Sequence, residues 1–341
     1  MAKVLVFNNF FSSARTSVYT SLEESNAHRY TLARPGVFRA NPYSKRKHIG
    51  IADFSKRVLA TLALSIRSLF YDVLIVDSAI TAALVSFWLW FVPWPRLIVA
   101  HWNVPRRREG YCRQLWRFLY RRVDVFVVHS RFDIRLSSQL LNRPSDSFVF
   151  DPYQRESPQT RLVQNTTVKV PEEPYICSIG GNARDYRVLC DAVSTLDIRL
   201  VIVARQYNMS DIEPPGNTTV ICNIPLDVCD YIASKALFSV LPFDGTEPSC
   251  GQITVVTSFM LGRPVICSKS EGMHDYVTGG VNGLYVPMHD VSALREAIWS
   301  LWSDRSLLSK LAKGAEEWAS EYACPAAFQQ RMDALVSRVI G

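Results

Sequence analysis

Residues 249–266 read SCGQITVVTSFMLGRPVI, and this stretch decides the fold of the second half of the chain. Small polar residues come first, an apolar run of helical length follows, and Gly-Arg-Pro separates that run from an apolar strand. The pattern predicts a helix over Thr254–Leu261 between two strands, because the preceding segment FSVLPF (238–243) is also apolar. Strand, helix and strand in this order are typical of a parallel sheet.

The same alternation runs along the rest of the chain. Apolar strand patterns recur in both halves, and a helical pattern covers residues 55–71. The predicted strands include KVLVFNNF (3–10), DVLIVD (72–77), RLIVAHW (96–102), DVFVVHS (124–130), YICSIGG (175–181), RLVIVAR (199–205) and TTVICNI (218–224). The polar, proline-containing stretch 151–174 predicts a linker. We therefore expect an α/β protein with two doubly wound, Rossmann-like domains, over residues 1–165 and 171–324.

Charge divides the chain into two unlike halves. Residues 1–165 carry 24 Lys and Arg against 11 Asp and Glu, whereas the remainder carries 14 against 20. A basic half can meet nucleic acid, anionic lipid or an acidic small substrate. The eight cysteines form no Cys-x-x-Cys pair and accompany no histidine cluster at zinc-ligand spacing. This pattern predicts reduced, buried thiols in a cytoplasmic protein, and no metal site.

Two features of the basic half raise the question of a membrane. Residues 78–94, SAITAALVSFWLWFVPW, contain no charge. The length of this stretch, 17 residues, is at the lower limit for a membrane span. The flanking strands favour a helix that is buried in the protein or lies at an interface. Arginines and aromatic residues also alternate in PRRREGYCRQLWRFLYRR (105–122), and a second basic cluster is SKRKHIGIADFSKR (44–57). A solvated face, an anionic membrane surface and nucleic acid remain open, and the aromatic residues favour the membrane.

Ligands of doubly wound sheets bind where strands end and helices begin, and two such turns stand out. The first contains Gly180 and Gly181, the capping residues Asn182 and Asp185, and Arg184, a residue type that binds phosphate through two hydrogen bonds. A Gly-Gly turn also occurs where nothing binds. The second turn holds Asp244 and Glu247 in its loop, then Ser249, Cys250, Gly251 and Gln252. It predicts either an anion site at a helix amino terminus or a capped helix that binds nothing.

About 150 residues of the second half resemble the donor-binding domain of GT-B glycosyltransferases of family four. SIGGNARDYRVLCDAV (178–193) resembles the first strand of that domain with its diphosphate-binding turn. Residues 249–298 resemble the run around its donor motif, with a Gly-x-Pro-Val strand, a Val-x-x-Gly-x-Asn-Gly-Leu turn and an Asp-x-x-x-Leu helix. The resemblance implies two domains that face a central cleft, a last helix (325–341) that returns to the first domain, and sugar transfer with retention of configuration.

The resemblance also assigns roles to residues. Gly180, Gly181 and Arg184 would face the diphosphate of a nucleotide sugar, and Gly251, Gln252 and Thr254 would hold it from the other side. Ile224 and Leu226, in NIPLDVCDY (223–231), stand where the family binds the base, and Asp275 stands in a slot that is often acidic. Ser249 and Thr257 occupy the slots of two glutamates that many members carry. Glu247 or Asp244 is therefore expected to supply the carboxylate for the sugar.

The acceptor is expected at the strand ends of the first domain. The candidates there are Asn8, Asn9, Arg15, Asp77, Ser78, His101, Trp102, Asn103, Ser130 and Arg131. His101 is the candidate to accept the acceptor's proton, and the alternative is a hydrogen-bonded structural histidine.

These patterns together predict the function of the chain. We expect a hexosyltransferase that moves a sugar from a nucleotide sugar to a lipid-linked or polysaccharide-precursor glycan at the inner membrane face. It would need no metal or other cofactor, and no nucleic acid partner is expected. The alternatives are a non-catalytic scaffolding subunit of the same fold, suggested by the missing glutamates, and a nucleotide-sugar epimerase.

Overall fold

The structure is a computed structural model of the 341-residue chain. It describes residues 1–7, 18–33, 51–103, 111–161, 168, 170–171, 174–247 and 249–341. Contacts within the described residues divide the chain into two units. The first unit comprises Met1–Pro152 together with Pro325–Gly341, and the second comprises Tyr153–Cys324.

The first unit is built on a parallel sheet of six strands. Its strands are β1 (Lys3–Phe7), β2 (Arg29–Ala33), β3 (Val73–Val76), β4 (Arg96–Val99), β5 (Val125–Val128) and β6 (Phe148–Phe150). They lie in the order β2-β1-β3-β4-β5-β6. The helices of this unit up to β6 are α1 (Ile51–Ser68), α2 (Ala79–Trp88), α3 (Tyr111–Leu119) and α4 (Arg131–Leu141). Strands β3 and β5 are buried along their whole length, as expected for a sheet covered on both faces.

A second parallel sheet of six strands forms the core of the second unit. Its strands are β7 (Tyr175–Ile179), β8 (Arg199–Ala204), β9 (Thr218–Cys222), β10 (Ser239–Leu241), β11 (Val265–Ser268) and β12 (Gly283–Val286). They lie in the order β12-β11-β10-β7-β8-β9. The helices are α5 (Tyr186–Val193), α6 (Leu226–Lys235), α7 (Gln252–Met260), α8 (Val291–Ser303) and α9 (Arg305–Trp318). The predicted α/β architecture with two doubly wound parallel sheets is confirmed.

The last helix, α10 (Pro325–Ile340), belongs to the first unit. Phe328, Met332 and Val336 pack into a core with Val4, Val6 and other residues from the sheet of that unit. The His28 ring lies 2.9 Å from the Ser337 hydroxyl, and Tyr30 donates a hydrogen bond to Asp333. The apolar side of α10 therefore covers one face of the first sheet.

The segment that follows β6 is not a loose linker. The first unit ends at Pro152 rather than at residue 165, because the next residues pack into the second unit. The amide of Tyr153 donates to the Tyr276 hydroxyl, and Arg155 forms a two-pronged salt bridge with Asp230 in α6. Polar composition and prolines predicted a linker here. The prediction was wrong because the residues that hold this segment lie far away in the sequence and leave no local signal.

Two elements were absent from the sequence prediction. Strand β2, RYTLA, pairs in parallel with β1 at the edge of the first sheet. Helix α6 begins within NIPLDVCDY (223–231), a segment for which the sequence analysis predicted no helix. Helix α7 begins at Gln252, two residues earlier than predicted, and α1 begins at Ile51 rather than at residue 55. No helix in the part of the chain described here has both the length and the hydropathy needed to cross a membrane.

Helix α9 packs against the turn before β12 through Gly314. A methyl group at this position would lie 2.1 Å from the carbonyl oxygen of Val281. Alanine in the interior of a helix is more favourable than glycine by about 1 kcal/mol, so helix propensity alone predicts that Gly314→Ala stabilises the protein. We expect the opposite, a loss of about 1–3 kcal/mol in the free energy of unfolding, because the helix must move away from the turn.

Urea denaturation of the Gly314→Ala protein measures this effect. Gly216→Ala is the control, because a methyl group at Gly216 would meet no atom within 4 Å. An equal or raised urea midpoint for Gly314→Ala would contradict the packing described for α9.

Candidate functional site

The order of the second sheet predicts where it binds a ligand. From β7 the chain moves outward to β8 and β9, then returns to the other side of β7 to form β10, β11 and β12. Ligands of open parallel sheets bind at such a switch point, at the carboxyl ends of the strands. The loops that follow β7 and β10 meet there: Arg184 and Phe243 form an isolated β-bridge, and the Asp185 amide donates to the Pro242 carbonyl.

Arg184 is a buried cation at this point. Only 8% of the residue is exposed, and its guanidinium lies over the Phe243 ring at 4.8 Å. It donates hydrogen bonds to the carbonyl oxygens of Asn182 and Ile179 and to the Thr254 hydroxyl. Its Nε is buried without a hydrogen-bond partner, and none of the described carboxylates forms a salt bridge with it. A buried charge without a counter-charge is costly, so this position favours an anion.

Two glycines leave room around the Arg184 guanidinium. Gly180 has φ +141°, and a methyl group there would lie 2.8 Å from Arg184 Nη2. Gly251 has φ +92°, and a methyl group there would lie 2.6 Å from the Phe243 ring and 3.6 Å from Arg184 Nη2. Both positions thus require glycine for backbone conformation and for space.

The amino terminus of α7 faces the same place. Its N-cap is Gly251, which offers no side chain to the first turn of the helix. By contrast, α5, α8 and α9 are capped by the side chains of Asp185, Asp290 and Asp304. Unpaired amide groups and the positive end of the helix dipole attract anions. The uncapped helix and the buried arginine therefore form one candidate anion site in the second unit.

Thr254 of α7 and the other predicted residues of the turn after β7 lie around this site in different ways. Thr254 donates a hydrogen bond to the Ile179 carbonyl, and Gly181 accepts one from Asn208. The Asn182 side chain is exposed. The Asp185 carboxylate caps α5 through the Val188 amide and lies 2.7 Å from His289 Nδ1, so it already has structural partners.

The loop before α7 is organised by its own side chains. The Asp244 carboxylate accepts hydrogen bonds from the amide and the hydroxyl of Thr246. Cys250 is 5% exposed, and its side chain belongs to the apolar cluster around Phe243. Ser249, Glu247 and Gln252 are partly buried. The Cys250 side chain therefore belongs to the apolar core of this loop.

Thr257 belongs to a buried polar group of the second unit. It is 6% exposed, accepts a hydrogen bond from Arg155 and donates one to the Ile253 carbonyl. Asp230, 1% exposed, completes this buried group by pairing with Arg155. No local pattern indicates this group, because Arg155 lies about 75 and 100 residues from its two partners in the sequence. Of the predicted base contacts, Leu226 is 44% exposed at the start of α6 and Ile224 is partly buried.

In the first unit, His101 is part of a chain of hydrogen bonds. Its Nε2 lies 3.0 Å from the Tyr19 hydroxyl, and its Nδ1 lies 2.6 Å from Nε2 of His129. Nδ1 of His129 lies 2.8 Å from the carbonyl oxygen of Asp151, which can only accept. His129 therefore carries its proton on Nδ1. If both rings are neutral, His101 donates from Nδ1 to His129, and Tyr19 donates to Nε2 of His101.

Both histidines are held in the neutral state. Burial, and then the neighbouring His129, lowers the pKa of His101 to about 3. Burial lowers the pKa of His129 to about 4, against the hydrogen bond to Asp151. A base whose pKa lies far below the working pH takes up a proton poorly. This geometry therefore supports a hydrogen-bonded polar group rather than a strong general base at His101.

The remaining acceptor candidates are placed as follows. Asp77 and Trp102 are buried, Asn103 is exposed, and Ser78 and Ser130 cap α2 and α4. Arg131 lies over the Phe150 ring. Asn8, Asn9, Arg15 and residues 44–50 of the basic cluster lie outside the described residues. Asp275, on the second unit, is partly buried.

Family comparison supports the interpretation of the second unit. Residues 173–304 match the model of the family described as glycosyl transferases group 1. That range contains both glycine turns, Arg184 and the whole of α7. No curated protein sequence matches this chain at a significant level.

Solved structures match almost the whole chain. HepE from Anabaena, in complex with UDP, has a TM-score of 0.68 at 11% identity, covering 98% of this chain and 100% of HepE. Sucrose-phosphate synthase from Thermosynechococcus elongatus has a TM-score of 0.71 at 15% identity, covering 99% of both chains. A putative UDP-N-acetylglucosamine 2-epimerase from Listeria monocytogenes has a TM-score of 0.59 at 12% identity, covering 98% of this chain and 96% of its own. The fold is therefore GT-B, and the family match supports a glycosyltransferase.

The histidine chain makes a prediction for nuclear magnetic resonance. We expect the rings of His101 and His129 to be neutral at pH 7 and still neutral at about pH 5, because burial lowers both pKa values below that pH. Both protons should lie on Nδ1. Long-range ¹H–¹⁵N spectra report the protonated nitrogen of each ring, and His101→Gln and His129→Gln variants assign the signals. A ring that titrates near pH 6.5, or a proton on Nε2 at pH 7, would show that the chain is not formed as described.

Proposed function

We propose that this protein transfers a sugar from a nucleoside diphosphate sugar to an acceptor, with the donor diphosphate bound at Arg184 and the amino terminus of α7. The observation that carries the proposal is the buried Arg184 guanidinium, which has no carboxylate partner among the described residues and lies beside an uncapped helix. The match of residues 173–304 to group 1 glycosyl transferases supports it.

The chemistry follows from the charge that such a site neutralises. When the sugar leaves, the bond to the diphosphate breaks and negative charge develops on the diphosphate oxygens. A guanidinium fixed in a water-poor position and the positive end of α7 stabilise that charge without rearrangement. The proposed reaction therefore needs no metal to stabilise the leaving diphosphate. The resemblance to family four adds retention of configuration and a hexose as the transferred sugar, and Glu247 remains the proposed sugar contact.

The acceptor is assigned to the first unit. Asp77, His101, His129 and Asp151 each follow one of four adjacent strands, so they share the carboxyl edge of that sheet. We propose a hydroxyl-bearing glycan acceptor, lipid-linked or a polysaccharide precursor, bound at this edge. His101 would hydrogen-bond to donor or acceptor as a neutral ring rather than remove a proton by itself.

Two other functions use the same fold and are separated by the products. An epimerase changes the sugar nucleotide when no acceptor is present. A non-catalytic subunit binds the nucleotide but never turns it over. A glycosyltransferase releases nucleoside diphosphate in proportion to the sugar that reaches an acceptor.

Thermal unfolding in the presence of UDP-, GDP-, ADP- and TDP-sugars tests the donor site. A ligand at about 100 times its Kd adds about 2.7 kcal/mol to the free energy of unfolding. The nucleotide sugar whose base fits the site should therefore raise the Tm measurably. We expect Arg184→Gln to lower the affinity for that nucleotide by about 10- to 100-fold, since a hydrogen bond to a charged group contributes about 1.5–3 kcal/mol.

Arg187→Gln is the matched control, because Arg187 lies three residues after Arg184, on α5, but is exposed and donates to the Asp211 carbonyl. It should bind nucleotide like the wild type. No shift with any nucleotide, or equal loss in both variants, would overturn the donor-site assignment. The nucleotide that binds is then incubated with and without glycan acceptors, and epimerisation or lack of any turnover would select the corresponding alternative.

A further inference from the structure

Helix α2 is apolar on its solvent side as well as on its core side. Ala82 and Val85 are buried against the protein, and Ile80 and Phe87 are 47% and 52% exposed. The exposed pair lies seven residues apart, on one side of the helix. A helix on the surface of an α/β protein ordinarily has polar residues towards water. The outer side of α2 is therefore built to meet something other than water.

The neighbouring helix α1 has a similar outer side. Leu59 and Ile66, seven residues apart, are 66% and 56% exposed, and Phe70, two residues after the end of the helix, is 76% exposed. Helices α1 and α2 pack side by side, and Nε1 of Trp88 donates to the Thr61 hydroxyl. The two stripes and the exposed residue after α2 form one surface, which we call the outer apolar face. Its members are Leu59, Ile66, Phe70, Ile80, Phe87 and Phe91.

The loop after α2 holds Phe91 out of the protein in a fixed position. Phe91 is 93% exposed. The Arg122 guanidinium donates to the carbonyl oxygens of Val92 and Pro95 at 2.8 and 2.7 Å, which fixes the loop on both sides. Trp90, next to Phe91, packs against Phe118 with ring centroids 4.1 Å apart. The exposure of Phe91 is thus part of an ordered aromatic cluster.

Exposed positive charge lies beside this cluster. The Arg121 guanidinium lies 4.0 Å from the Trp90 ring centroid, and Arg113 on α3 is exposed. On α1, Lys56 and Arg67 are exposed close in sequence to the apolar stripe. Aromatic rings beside arginines are the combination that suits the boundary between lipid headgroups and acyl chains.

We propose that the outer apolar face docks on the surface of a bilayer that contains anionic phospholipid. Phe91 and Phe87 would enter the headgroup–acyl boundary, and the arginines would lie among the lipid phosphates. A second copy of this chain fits the face less well, because two such faces in contact would oppose their positive charges. The inference concerns a surface of the first unit alone, and it holds whether or not the proposed sugar transfer is correct.

Flotation with lipid vesicles tests this inference on the full chain. We expect the protein to float with vesicles of phosphatidylglycerol and phosphatidylcholine, and to float less with phosphatidylcholine alone. Binding should weaken as salt is raised, because salt screens the attraction between arginines and phosphates. A protein that stays at the bottom of the gradient with the anionic vesicles at low salt would overturn the proposal.

Two paired variants separate apolar insertion from charge. Phe87→Gln with Phe91→Gln should lower the vesicle partition coefficient by about tenfold or more, since both rings lose their place in the bilayer boundary. Trp299→Gln is the control, because Trp299 lies on the second unit and is as exposed as Phe87, at 52%. Arg113→Gln with Arg121→Gln should remove most of the preference for anionic lipid.

Gel filtration and thermal unfolding complete the test. The changed residues are exposed, so we expect the Tm of each variant to stay close to that of the wild type. Unchanged flotation of the double phenylalanine variant would overturn the proposal. So would a wild-type dimer that ignores vesicles and becomes a monomer in that variant, because the occupant of the face would then be a second copy.

Discussion

The second unit depends on how it accommodates the charge of Arg184. A guanidinium can be buried when hydrogen bonds and a counter-charge replace the water it loses. Here carbonyl oxygens, a hydroxyl and the Phe243 ring provide part of that environment, and no described carboxylate provides the rest. Gly180 and Gly251 are required because any side chain would displace the guanidinium or the ring beneath it. The bare amino terminus of α7 adds positive potential to the same point. These features together favour an anion beside Arg184.

The first unit handles polar groups in the opposite way. Its sheet ends in a chain of neutral groups, from the Tyr19 hydroxyl through His101 and His129 to the Asp151 carbonyl, in which each donor has an acceptor. Such a chain fixes the tautomer of each ring and lowers both pKa values through burial. It suits the recognition of a neutral, hydroxyl-bearing molecule better than the capture of a charge. The two units thus supply different chemistry from sheets of the same architecture.

Local signals predicted much of this structure, and contacts between distant residues account for what they missed. Apolar strands followed by glycine turns are local patterns, so the sequence predicted two parallel sheets and placed α7 to within two residues of its start. Strand β2 was missed because RYTLA mixes Arg and Thr into a short edge strand. The Arg155–Asp230 pair lies outside any motif, since only the fold brings residues 75 positions apart together. His129 ends a strand as His101 does, but its role depends on β4 and β5 being neighbours. The roles of Glu247, Ile224 and Leu226 stay predictions.

A crystal structure of the protein with bound UDP tests the central claim most directly. The account predicts that oxygens of the diphosphate lie within about 3 Å of the Arg184 guanidinium, and that they accept hydrogen bonds from amides in the first turn of α7. A diphosphate bound elsewhere, while Arg184 keeps only its bonds to Asn182, Ile179 and Thr254, would contradict it. The buried charge of Arg184 would then be a structural feature of the turn, and the donor site would have to be sought in another part of the molecule.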